Sequence, residues 1–297
     1  MTAATQAPTG LRLWLAGARP RTLGAAVAPV VVGTAAGSSA AGQLLVGRAA
    51  LALVVALALQ VGVNYANDYS DGVRGTDTDR VGPLRLTASG LVPAAAVRRA
   101  ALVAFGLAAT AGLALSLIAE PWLVLIGAAA IGAAVLYTGG PRPYGYLGLG
   151  EVMVLVFFGF VATAGSAYVQ LGGVPATAWW GSGAVGLLAA AVLLTNNVRD
   201  RVGDAAAGKR TLAVRLGDRG ARLLYVGCLL GAFVAVAALG TLHPWALLGL
   251  VALPLAVRPA RLVLGDATGP ALIPGLVATV RLELLVAGFV ALGLWLP

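Results

Sequence analysis

The chain has 297 residues, 60% of them hydrophobic and only 10% charged, with a net charge of +9 and a mean hydropathy of +0.92. A soluble domain carries roughly 25% charged residues, so a soluble fold is excluded. The apolar runs are continuous rather than alternating, which excludes a transmembrane barrel. One cysteine (Cys228) and one histidine (His243) exclude a disulfide framework and a His/Cys zinc cage, and leave no Ser/His/Asp or Cys/His set for acyl-enzyme chemistry.

Met1 to Gly10 is polar, and Arg12, Arg19 and Arg21 precede the first apolar run. Many further runs follow, so residues 1–21 read as a cytoplasmic N-terminal segment rather than a cleavable signal. Residues 22–297 read as one all-α transmembrane domain. Nine helices are predicted: Thr22–Ala36, Leu44–Tyr65, Ala94–Ile118, Pro121–Thr138, Gly150–Gln170, Ala178–Asn197, Ala221–Leu242, Trp245–Val257 and Pro274–Leu296. The eighth is short, with Pro254 near its end. Abundant Gly and Ala suit close helix packing in lipid, and Trp179, Trp180 and Trp245 read as interfacial anchors.

Charge sets the orientation. With the N-terminus in the cytoplasm, every Lys and Arg except Arg48, on the opposite side, and Arg281, inside the last span, falls in a cytoplasmic segment. The basic residues are spread among loops with no aromatic-studded face, so they read as topology signals facing anionic lipid, not as a nucleic-acid surface.

More than half of the eleven acidic residues sit in two short polar segments where apolar runs end. The first, N-Y-A-N-D-Y-S-D-G-V-R-G-T-D-T-D-R (Asn64 to Arg80), holds Asp68, Asp71, Asp77 and Asp79. The second, N-N-V-R-D-R-V-G-D-A-A-A-G-K-R-T (Asn196 to Thr211), holds Asp200 and Asp204. If helix continues past Tyr65, then Asn64, Asp68 and Asp71 share a face, with Asn67 one turn before Asp71. Asn196, Asp200 and Asp204 form a second stripe. Two such stripes across a cavity offer hard oxygen ligands for Mg²⁺, which is held by one or two carboxylates plus phosphate and water. The adjacent Arg and Lys suit a diphosphate. Carboxylates at a membrane edge are costly and usually functional; the blander reading is Asn/Asp capping in solvated loops. Both segments share the order apolar span, Asn, carboxylate one turn on, then Arg, which suggests two related helical halves.

N-D-Y-S-D and N-x-x-D-x-x-x-D resemble the paired aspartate motifs of the UbiA superfamily of intramembrane prenyltransferases. R-V-G-P-L-R-L-T-A-S-G (Arg80 to Gly90), Y-T-G-G-P-R-P-Y-G-Y-L-G-L-G-E (Tyr137 to Glu151) and N-N-V-R-D-R-V-G-D-A-A-A-G-K-R-T-L-A-V-R-L-G (Asn196 to Gly217) are most similar to its 1,4-dihydroxy-2-naphthoate polyprenyltransferase branch. The resemblance runs from about Arg19 to the last span. It implies nine helices around a central cavity with a lateral opening to lipid for the prenyl tail. It implies a Mg²⁺–diphosphate site of Asn67, Asp68, Asp71, Asn197, Asp200 and Asp204, with Asp68, Asp71, Asp200, Asp204 and Lys209 catalytic. Lys209, the only lysine, and Arg210 resemble the family's diphosphate-binding pair. One departure stands out. The last Asp of the first motif usually falls where this chain has Gly75, and the carboxylate comes at Asp77, as in the naphthoate branch.

Further residues are expected around this site. Arg19 and Arg21 read as contacts to the diphosphate or the acceptor carboxylate, or as snorkelling side chains. Tyr137 and Arg142 flank a Gly-Pro turn beside the acceptor, and Arg80 and Arg85 close over the substrates. Glu151 begins a span, and Arg281 with Glu283 reads as a structural charge pair. The implied reaction moves a polyprenyl group from polyprenyl diphosphate to 1,4-dihydroxy-2-naphthoate with loss of CO₂ and diphosphate, giving demethylmenaquinone in its reduced, quinol form, on the cytoplasmic side of a bacterial inner membrane. The rivals are another acceptor (4-hydroxybenzoate, homogentisate or a haem precursor) and a secondary transporter, whose ion sites usually lie near the bilayer midplane.

Overall fold

The computed structural model describes residues 9–76 and 84–297. Among them every regular element is helical: α1 (Leu11–Ala18), α2 (Gly24–Ala41), α3 (Val46–Val73), α4 (Ala94–Ile118), α5 (Leu123–Leu136), α6 (Gly150–Leu171), α7 (Ala176–Ala206), α8 (Leu212–Leu242), α9 (Pro244–Leu264) and α10 (Gly269–Trp295). Helices α2–α4 and α6–α10 are long and apolar enough to cross a membrane, and α5 is a shorter apolar helix. They follow the predicted spans in order. The one addition, α1, is a short helix whose Tyr65 contact (Tyr65 Oη donates to the Trp14 carbonyl at 2.8 Å) docks it on α3.

Two helices run further than their apolar stretches. α3 continues two turns past Tyr65, and α7 continues more than two turns past Asn197, so each polar segment begins as helix, to Val73 and to Ala206. No proline interrupts either one. α3 gives way to a turn with Gly75 in the left-handed region (φ 71°), and α7 is closed by Gly208 at φ 76°, where glycine carries no Cβ penalty.

Small residues bring the backbones together. A Cβ on Gly33 of α2 would lie 2.1 Å from the Thr163 carbonyl oxygen of α6, and one on Gly159 of α6 would lie 2.8 Å from Gly186 Cα of α7. These contacts anchor α6 against α2 and α7 even though Leu155–Ala162 winds as a π-helix, a wider form that recurs at functional sites. α5 packs instead on α3 and α4. The result is two apolar cores. One joins α2 with α6–α10; the other joins α1, α3, α4, α5 and the Leu84–Val92 stretch. The cavity lies between them. Outward-facing Leu102, Val103 and Leu107 of α4 are exposed, as a lipid-facing surface requires, and Trp179, Trp180 and Trp245 stand half-exposed near helix starts.

The expected Arg281–Glu283 pair does not form. Residues two apart on a helix point to opposite sides: Arg281 is exposed, whereas Glu283 is fully buried with neither carboxylate oxygen hydrogen-bonded. Arg222, counted in the sequence among the cytoplasmic-side basic residues, is a buried staple. It donates to the carbonyls of Val263, Gly265 and Ala267 and to Asp218, and so fixes the α9–α10 connection against α8.

Candidate active site

A cavity of about 860 Å³ opens where α3 and α7 end. Its mouth is polar and its body apolar. From α3 come Asn64, Asn67 and Asp71, spaced i, i+3, i+7 on one face; from α7 come Asn196, Asn197 and Asp204. The two ends are tied together across the opening. Lys209 Nζ lies 3.0 Å from Asp71 Oδ2, with both side chains almost fully buried. Tyr146 donates its hydroxyl to the other oxygen, Asp71 Oδ1, and the Lys209 ammonium stands 4.8 Å from the Tyr146 ring centroid, close enough for cation–π attraction.

The local fold explains how Lys209 reaches inward. After α7, Gly208 turns the chain in the left-handed region and the Lys209 N–H donates to the Asp204 carbonyl at 2.8 Å. The next N–H, of Arg210, donates to the Tyr146 carbonyl at 2.9 Å. The α5–α6 loop is thereby stitched to the end of α7, which sets Tyr146 beside Lys209. Burial pushes the hydroxyls of Tyr144 and Tyr146 up to about 12, and the Asp71 charge acts in the same direction on Tyr146. Tyr146 therefore stays protonated and donating at neutral pH.

The two asparagines have different partners. Asn67 Oδ1 accepts from the Thr138 hydroxyl at 2.7 Å, and Arg74 braces that corner through the Thr138 and Gly140 carbonyls. Asn197 donates Nδ2–H to Glu151 Oε1 at 2.8 Å, which leaves its amide oxygen for the cavity.

Residues 26–273 match the pattern of the UbiA prenyltransferase family. The chain belongs to that family. It is 50% identical over 284 residues to 1,4-dihydroxy-2-naphthoate octaprenyltransferase of Mycobacterium tuberculosis, a match covering 94% of this chain and 97% of the relative. Against the enzyme of the same name in Escherichia coli it is 42% identical over 293 residues, 95% of each chain. Among solved structures, a UbiA homolog from Archaeoglobus fulgidus bound to GPP and Mg²⁺ superposes with a TM-score of 0.62 at 16% identity, covering 93% of this chain and 99% of that one. The apo UbiA homolog from Aeropyrum pernix K1 gives 0.63 at 15% identity, covering 96% and 99%. At such identities the structural likeness establishes the fold.

Within this UbiA-family bundle the sequence-predicted residues divide. Asn67, Asp71, Asn197, Asp204, Lys209, Arg19, Arg21, Arg85 and Tyr137 all line the cavity. Asp68 does not. Its two oxygens accept the backbone N–H groups of Leu86 and Thr87, each at 2.8 Å, so it holds the Leu84–Val92 stretch against α3 and stands off the cavity wall. Asp200 also misses the wall: its carboxylate is gripped bidentately at 2.8 and 2.6 Å by Arg199, which itself lines the cavity. Arg210 and Arg142 are exposed and off the cavity, the first because the Gly208 turn aims Lys209 inward and its neighbour outward. Asp77, Asp79 and Arg80 lie outside the described residues.

Arg19 is held in a strained conformation. It is the one non-glycine described residue with positive φ (56°), a conformation costing roughly 1–2 kcal/mol, and its Nε and Nη2 are buried without hydrogen-bond partners. Strain of this kind clusters at ligand sites. Tyr146, Thr138 and Arg74 were not legible as site residues, because their contacts join segments far apart in sequence; Arg199 was not, because only its rotamer turns it onto Asp200. Tyr146 sits inside the family-like Tyr137–Glu151 block, but spacing gave it no role.

No three His, Cys, Asp or Glu side chains converge among the described residues. The donors facing the cavity are nevertheless all oxygen: the Asp71 and Asp204 carboxylates and the Asn197 amide. A buried cation, the Lys209 ammonium, already rests on Asp71. This set suits a hard ion that takes its remaining ligands from water and phosphate.

The Asp68 assignment has a direct test. Replacing Asp68 with Ala leaves the buried Leu86 N–H and the part-buried Thr87 N–H without acceptors, a loss of about 2 kcal/mol. The thermal midpoint of the purified protein is expected to fall by several degrees, while Mg²⁺ dependence persists in the folded fraction. An unchanged midpoint would remove the structural role.

Proposed function

We propose that this chain transfers a polyprenyl group from polyprenyl diphosphate to 1,4-dihydroxy-2-naphthoate, releasing diphosphate and CO₂. The observation that carries this reading is the buried Asp71–Lys209 contact, which joins two helix ends at the polar mouth of an otherwise apolar cavity. The names of the M. tuberculosis and E. coli relatives support the acceptor.

Asp71, Asp204 and Asn197 would hold Mg²⁺, which supplies positive charge against the charge growing on diphosphate as its C–O bond breaks. Lys209 and the unpartnered Arg19 donors bind the same diphosphate, Lys as a compact charge and Arg through its planar fork. Beyond them, Phe157, Phe158 and Val161 form dry walls, so the allylic cation meets the acceptor ring before water. Tyr137 and Tyr144, with ring centroids 5.4 Å apart, place aromatic faces near the mouth, where they can stack on the naphthoate or stabilise positive charge. The electron-rich ring attacks the prenyl carbon, and loss of its carboxylate restores aromaticity. No protein nucleophile is needed.

Mg²⁺ dependence follows from the donor set. Chelation with EDTA is expected to reduce turnover by about 10²-fold or more, and excess Mg²⁺ to restore it; full activity in EDTA would refute the metal role. The acceptor is tested by offering 1,4-dihydroxy-2-naphthoate, 4-hydroxybenzoate and homogentisate with a labelled prenyl diphosphate and identifying products by mass. A product from 4-hydroxybenzoate alone would overturn the naphthoate reading. Both polar helix ends lie on one side of the bundle, and the basic residues support placing that side in the cytoplasm. Labelling of single cysteines placed at Arg142 and Arg210 from either side of the membrane tests this.

A further inference from the structure

Spacing groups Asn64 with the oxygen donors of α3, but its amide is engaged elsewhere. Nδ2 donates to the Ala18 carbonyl at 2.9 Å, and the contact is buried. Ala18 closes α1, so this carbonyl is one that the helix leaves without an intrahelical partner. Tyr65, the next residue of α3, donates to the Trp14 carbonyl at 2.8 Å, and the two rings meet edge to face with centroids 5.8 Å apart. Gly17 allows this close approach: a Cβ there would meet Leu86 Cδ1 at 2.7 Å and Tyr65 Cε1 at 2.9 Å. The end of α1 is thus seated on α3 by two neighbouring side chains.

The consequence falls on Arg19. The Ala18 carbonyl and the Arg19 N–H share one peptide plane; Asn64 pins its oxygen, and its N–H donates to the Ala16 carbonyl at 3.2 Å. The plane on the other side of Arg19 is pinned as well. Its carbonyl accepts the Thr22 N–H at 3.0 Å and the Thr22 hydroxyl at 3.1 Å. Both dihedrals are therefore fixed from outside, which holds Arg19 at φ 56° and ψ 62° in the left-handed region. The side chain so placed lines the cavity, and its buried Nε and Nη2 have no partner among the described residues. This is the same edge with which Arg199 grips both oxygens of Asp200, and it suits two phosphate oxygens equally well. We propose that Asn64 is a positioning residue of the donor site: by seating the end of α1 it aims the Nε–Nη2 edge of Arg19 at the diphosphate of the prenyl donor. This deepens the prenyl-transfer reading above and rests on it.

The test measures KM for donor and acceptor separately, with geranylgeranyl diphosphate and 1,4-dihydroxy-2-naphthoate. Asn64→Leu, which keeps the shape and removes the N–H donor, is expected to raise KM for geranylgeranyl diphosphate about tenfold and to leave KM for the naphthoate within about twofold of wild type. In an Arg19→Gln background the same substitution should change the donor KM by no more than about twofold, because the residue it positions is gone. An asparagine that only stabilised the fold would lower the thermal midpoint without separating the two KM values. A folded Asn64→Leu protein with the wild-type donor KM overturns the proposal, as does an equal rise with and without Arg19. If Asn64→Leu fails to fold, Asn64→Ser, whose shorter side chain falls short of the Ala18 carbonyl, is judged by the same criteria. Should the wild-type protein prenylate no naphthoate, the prenyl-transfer reading falls. Calorimetric binding of inorganic diphosphate then tests Asn64 directly: binding about tenfold weaker in Asn64→Leu, and only when Arg19 is present, supports the positioning role. Unchanged binding overturns it.

Discussion

Replacing Asp71 with Asn is expected to lower kcat/KM for prenyl transfer by about 10³-fold. Asp71 is where three demands meet: it accepts from Tyr146, pairs with Lys209 and lines the cavity. An amide of the same shape keeps one acceptor oxygen and loses the charge. The substitution also strands the buried Lys209 ammonium, and uncompensated buried charges cost about 3–5 kcal/mol, so a lower thermal midpoint should accompany the loss of rate. Measuring diphosphate-donor affinity separately from turnover distinguishes the two effects. Transfer within tenfold of wild type at saturating Mg²⁺ would remove Asp71 from the centre of the site.

Replacing Lys209 with Met is expected to cost about 10²-fold, whereas replacing its neighbour Arg210 with Gln should change the rate less than threefold. The contrast follows from burial: Lys209 is enclosed between Asp71 and the Tyr146 ring, while Arg210 projects outward. Arg is a poor substitute at Lys209, because a planar fork does not fit a pocket shaped for a point charge. Lys209 and Asp71 touch, so the double variant should be far less damaged than the product of the single effects. Equal losses in the Lys209 and Arg210 variants would return both to the diphosphate-binding pair that the motif implies.

The spans were readable because lipid imposes one constraint everywhere: about twenty apolar residues per crossing. The family-like blocks were readable because their residues lie close together in the chain. Asp68 was misleading for the same reason. One turn of helix places it near Asp71, but its oxygens are claimed by backbone N–H groups eighteen and nineteen residues away. Asp200 was claimed by the residue beside it, Arg199, through a rotamer that no spacing reveals. Tyr146 entered the site through a hydrogen bond spanning seventy-five positions.

The sequence by itself determined the membrane-spanning class, the order of the helices, the two acid-bearing helix ends and the family, since each depends on composition or on residues within a few turns of one another. Only the tertiary structure decided which carboxylates face the cavity and why Lys209 and not Arg210 turns inward. The physical reason is that a buried polar group is assigned by whichever partner satisfies it. Here those partners arrive from other helices, brought within hydrogen-bond distance only when the two cores close around the cavity.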